Sequence, residues 1–135
     1  MRVSLPGMTD HPLPPLRNQL LSLHKILMLA ERALYEREGH VIQSPGHFLQ
    51  LLTGDERFAW LRELSQLIVM IDEAMEEKPP ISTERQDALV EEARMLLTGS
   101  NESGSFAAKY AAMMQRVPSI AAAHEQISKA FTPHP

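Results

Sequence analysis

The sequence predicts an all-α, single-domain bundle of about five to six helices, built on two long antiparallel helices. Three observations carry this. First, Leu13, Leu20, Leu27 and Leu34 recur every seven residues, with Leu16, Leu23 and Ala30 between them. Seven residues is almost two helical turns, so the spacing lays one apolar stripe along a helix about six turns long. Second, a stripe of that length needs a matching surface, and Phe58 to Met75 supplies one. Third, no window alternates apolar and polar residues strictly enough to form a strand.

Taken in order, the elements follow from local chemistry. Residues 1–13 hold Pro6, Gly7 and Pro12 and are expected to form an irregular extension ahead of the bundle at 14–131. Pro14 and Pro15 suit the first turn of a helix, where a missing N–H breaks no intrahelical bond. That helix should run to about Glu38 and stop at Gly39, a residue type that enters the left-handed C′ conformation without penalty. Ser44-Pro45 marks the next start, with Ser as N-cap and Pro at N1. The short helix it opens should end near Leu52, before Thr53-Gly54.

Asp55 then caps a long helix over about Glu56–Glu77, stopped by Lys78-Pro79-Pro80. Its main face is Leu61, Leu64, Ile68, Ile71 and Met75, widened by Trp60, Leu67 and Ala74. Ser82 or Thr83 starts a fourth helix, and Thr83 with Gln86 matches a capping box. Leu89, Ala93 and Leu96 form its stripe. Residues 98–105 read as a connecting loop. A fifth helix carries Phe106, Tyr110, Met113 and Met114. Pro118 breaks or kinks it, and a sixth carries Ile120, Ala123, Ile127 and Phe131 before a tail at 132–135. Two rods of about 35 Å, at 1.5 Å per residue, form the antiparallel spine of this scheme.

Composition narrows the function classes. At 135 residues and 44% apolar content the chain suits one domain with a real core. Aromatics are scarce at 5%, so Leu, Ile, Ala and eight Met must fill that core. With no cysteine, thiol catalysis, disulfide scaffolds, zinc fingers and iron–sulfur clusters are excluded. Net charge is −4 without a basic block, so no nucleic acid is expected as a partner. No apolar run approaches the ~20 residues that span a bilayer, so no membrane is expected either. The N-terminal segment lacks the apolar core of a secretory signal.

Residues 44–71 (SPGHFLQLLTGDERFAWLRELSQLIVMI) combine a Ser-Pro start, a Leu-Leu pair and Phe-Ala-Trp-Leu-Arg leading into Leu-Ile-Val. This region resembles small all-helical bacterial proteins of unknown function, and the likeness extends from about His24 to Leu97. It implies a bacterial, cytoplasmic protein and transfers no catalytic residue.

Few constellations carry chemistry. No Glu-x-x-His motif of the di-iron bundles is present, nor a His-Glu-x-x-His zinc motif. No serine stands in a nucleophile elbow, and the loop at 98–105 lacks the lysine of a phosphate-binding loop. No catalytic residue is therefore assigned. Polar residues do intrude on the apolar stripes. At ~100° per residue, His24 lies about 40° from Leu20, and Glu31 about 20°. Asp72 borders the facing stripe, and His124 adjoins Ala123. If His24, Glu31, Asp72 and His124 converge, they form a site for a divalent metal or a small polar ligand. The plainer reading is a satisfied hydrogen-bond pair such as His24 with Asp72, or Glu31 reaching solvent at the stripe edge. No specific cofactor is implied.

The remaining signal is surplus apolar surface. Ile26, Leu29 and Ala33 lie off the leucine stripe, and Val69 and Met70 lie off the main face of the third helix. A helix apolar on two faces is buried on two sides. Trp60 either fills the core or anchors a partner. The eight carboxylates between Asp72 and Glu92 form a solvated face or dock a basic partner. The leading expectation is a non-catalytic interaction module that self-associates as a homo-oligomer or binds another protein, through Trp60, Ile26, Leu29, Val69 and Met70. The alternative is a ligand- or metal-binding bundle.

Overall fold

A computed structural model describes residues 12–77, 81–99 and 106–131. These form an all-α bundle, 86% helical, with six helices and no strand among the described residues. The helices are α1 (Leu13–Arg37), α2 (Pro45–Gly54), α3 (Arg62–Met75), α4 (Thr83–Thr98), α5 (Phe106–Arg116) and α6 (Pro118–Ser128). A 3₁₀ helix, Glu56–Leu61, leads directly into α3, and a second, Lys129–Phe131, follows α6.

The helix α1 is the spine. Leu13, Leu16, Leu20, Leu23, Leu27 and Leu34 are all buried, so the heptad stripe faces the core along its whole length. Its partner runs antiparallel. Arg17, near the start of α1, pairs with Asp72 near the end of α3. Glu31 and Glu38, near the end of α1, meet Arg57 ahead of α3. The helix α6 packs on another side of α1, α4 packs on α3, and α5 links α4 to α6. Core side chains from all six helices join one cluster, including Leu64, Ile71, Leu89, Phe106, Tyr110, Ile120 and Ile127.

Most predicted boundaries hold within two residues, because their causes are local. Gly39 has φ +98° and follows α1, the left-handed stop that glycine permits. The Ser44 hydroxyl accepts from the His47 amide at 3.0 Å, and the His47 ring returns the favour by accepting from the Gln43 amide at 3.1 Å. Asp55 accepts from the Arg57 amide at 2.8 Å. Val117 is extended and Pro118 opens α6, so the predicted break is where the proline demands it.

Three expectations are corrected. Leu13, assigned to the irregular extension, is the first residue of α1 and fully buried. The Thr83–Gln86 capping box does not form: Ser82 is the N-cap, accepting from the Arg85 amide at 3.1 Å, while Gln86 donates to the Ile81 carbonyl. The long helix over Glu56–Glu77 is not α-helical throughout. Its first six residues wind as 3₁₀, three residues per turn. This tighter turn sends Phe58 toward Phe48 and Tyr35, and Trp60 toward Phe106. The expectations for residues 1–11, Lys78-Pro79-Pro80, the loop at 100–105 and the tail at 132–135 lie outside the described residues.

Candidate functional site

The most organised polar group is a cluster where the C-terminal half of α1 meets the 3₁₀ helix. Glu31 sits one turn before Leu34 on the leucine stripe, which forces its carboxylate into the core, and it is only 6% exposed. A carboxylate there must be hydrogen-bonded. The Trp60 indole N–H donates to Glu31 Oε1 at 3.0 Å, and Arg57 Nε donates to Oε2 at 3.1 Å. The outer fork of Arg57 then grips the Glu38 carboxylate with both terminal nitrogens, one at 2.6 Å. The guanidinium also lies over the Tyr35 ring, 5.6 Å from its centre. Glu38, with Glu31 behind it, holds the Arg57 guanidinium charged and above its ordinary pKa. The same contact lowers the pKa of the exposed Glu38.

A cavity of about 320 Å³ opens beside this cluster, lined by Glu31, Leu34 and Arg57 together with Lys109, Ala112, Met113 and Arg116 of α5. Lys109 and Arg116 have no ion-pair partner among the described residues. Sequence reasoning singled out Glu31 and Trp60 but missed Arg57, Glu38, Lys109 and Arg116. Arg57 precedes the apolar face of α3, and its two acidic partners lie on another helix. A stripe read along one helix carries no sign of them.

The four polar candidates do not converge. His24 borders a separate cavity of about 280 Å³ beneath α2, with Leu52, Thr53, Phe58, Leu61, Arg62 and Ser65. Burial lowers its pKa. Asp72 is half exposed and paired with Arg17, so the expected His24–Asp72 pair does not form. The antiparallel register is the reason: it sets Asp72 opposite Arg17, about two turns from His24 along α1. His124 Nδ1 of α6 lies 2.7 Å from the Tyr110 hydroxyl of α5. Burial raises the Tyr110 pKa and lowers that of His124, so a neutral phenol and a neutral imidazole share this hydrogen bond, its direction set by the imidazole tautomer. Among the described residues no three His, Asp or Glu side chains are grouped to hold a metal ion.

The apolar candidates separate too. Trp60 is 2% exposed and is a core residue, so it is not free to anchor a partner. Its ring packs on Phe106, and its N–H is taken by Glu31. Ile26 is half-buried against the core. Leu29, Val69 and Met70 do stand exposed, at 46%, 52% and 36%. Leu21, Val41 and Leu49, not singled out from the sequence, are exposed with them.

No family model, no curated protein and no solved structure matches this chain. No described helix is long and apolar enough to cross a membrane.

Proposed function

We propose that this chain is a non-catalytic helical module that pairs with a second copy of itself along the outer edge of the α1–α3 seam. The observation that supports it is the level at which two exposed apolar residues stand. Arg17 opposes Asp72, and His24 shares a cavity with Ser65. Leu21 lies between Arg17 and His24, and Val69 between Ser65 and Asp72. The antiparallel register therefore brings Leu21 and Val69 to one level. Both are more than a third exposed. A symmetric pairing lets such an edge cover its own copy. A stable dimer should bury at least about 1,000 Å² in total.

Sedimentation velocity at micromolar concentration tests this reading. A dimer is expected, with Leu21→Glu and Val69→Glu each shifting it to monomer while helical content is kept. A wild-type monomer at tens of micromolar would overturn it. We set the module, within the same proposal, in a bacterial cytoplasm.

A second reading, a small-ligand-binding bundle, is favoured by one observation. The cavity of about 320 Å³ sits against a buried carboxylate and its arginine. That size is at the lower end of the range, about 300–1,000 Å³, of small-molecule sites.

A further inference from the structure

The geometry points to a phosphate-monoester site in the cavity between α1 and α5, with Glu38 as an internal stand-in for the ligand. This deepens the small-ligand reading and rests on it. Arg57 is already positioned for an oxyanion. Glu31 holds its Nε from behind at 3.1 Å, and Tyr35 lies beneath its plane. What remains free to turn outward is the two-nitrogen fork, the part of arginine that matches carboxylate and phosphate oxygens in pairs. Glu38 fills that fork with both of its oxygens.

Apart from Arg57, only the weaker attraction of His40 and Arg116 acts on Glu38. Its side chain is 52% exposed, and it caps the C-terminal end of α1, where the helix dipole disfavours a negative charge. A ligand oxyanion that displaced it would meet Arg57 with Lys109 and Arg116 lining the same cavity. Against these three cations stands one buried carboxylate, Glu31. The lining then carries two net positive charges, which match a phosphate monoester dianion better than a monoanion. The rest of the lining, Leu34, Ala112 and Met113, is apolar and suits an apolar ester group.

Trp60 supplies the assay. It is the only tryptophan in the chain, and its indole N–H is bonded to the same Glu31 that holds Arg57. Fluorescence of the full chain would be titrated with butyl phosphate, valerate and sodium chloride at matched ionic strength, and with vesicles containing phosphatidic acid. Saturable binding of butyl phosphate is expected. Lys109→Ala and Arg116→Ala, both at exposed positions, should each weaken it about tenfold, as loss of a charge-assisted hydrogen bond does. Glu38→Gln should tighten it severalfold by freeing the fork. Tighter binding of the vesicles than of butyl phosphate, lost in the same variants, would support the same chemistry with a lipid headgroup as its source. Binding of valerate without butyl phosphate would overturn the phosphate assignment and leave the small-ligand reading standing. No saturable change with any anion, in wild type and Glu38→Gln alike, would overturn both.

Discussion

Glu31 shows how much one residue on a helix face can decide. Its place on the leucine stripe was legible, because about 20° separates it from Leu20 on the wheel. Its partners were not. A wheel gives the azimuth of one helix and says nothing of which cation a neighbour brings to it. Removing the carboxylate by Glu31→Ala leaves the Trp60 N–H without an acceptor and Arg57 without its inner anchor. Breaking a fully buried ion pair costs about 3–5 kcal/mol. Here Arg57 is a quarter exposed and keeps Glu38, so a loss of about 2–3 kcal/mol is expected in urea unfolding. A change under about 0.5 kcal/mol, the size of an ordinary surface substitution, would show that the cluster does not hold the fold.

The two half-buried histidines give a pH signature. Burial lowers the pKa of both His24 and His124 in the folded chain. The unfolded chain therefore binds protons that the folded chain refuses, so stability falls as pH drops below the ordinary imidazole value of about 6.5. Above that value their contribution is constant. Denaturant midpoints measured from pH 7.5 down to 5.5 should decline, and the His24→Gln/His124→Gln double variant should flatten the curve. An unchanged slope in that variant would place the titrating groups elsewhere.

At the scale of the element, starts and stops were the most legible features. Caps depend on one or two side chains close in sequence, and Ser44, Asp55 and Gly39 act as their chemistry dictates. The fourth helix shows the limit. Ser82 and Thr83 are both good caps, and Gln86 fits a box with Thr83, but the backbone turns helical one residue earlier than the box requires. Ser82→Ala should then cost about 1 kcal/mol, and Thr83→Ala no more than about 0.5. The reverse order would restore the capping box. The 3₁₀ opening before α3 was invisible for a different reason. Phe58 and Leu61 are three residues apart, a spacing that serves a 3₁₀ and an α-helix equally. Only the aromatic neighbours, Phe48 and Tyr35 on one side and Phe106 on the other, select between them.

At the scale of the whole molecule, an all-α bundle on a leucine-striped spine was legible because burial of a six-turn stripe leaves few alternatives. The candidate site was only partly so. Arg57, Glu38, Lys109 and Arg116 come from three elements, and their meeting depends on how α1, the 3₁₀ helix and α5 are set against one another. The antiparallel register of α1 and α3 underlies both the Leu21–Val69 edge and the Glu31 cluster, so it is the claim to test first. The chain has no cysteine, so paired cysteines report without background. In an Arg17→Cys/Asp72→Cys variant, a short bis-maleimide reagent should cross-link the two positions within one chain. An Arg17→Cys/Arg57→Cys pair should stay open, since about 15 residues of helix, roughly 22 Å, separate positions 57 and 72. Cross-linking of 17 to 57 and not to 72 would contradict the register and, with it, both the seam and the cluster.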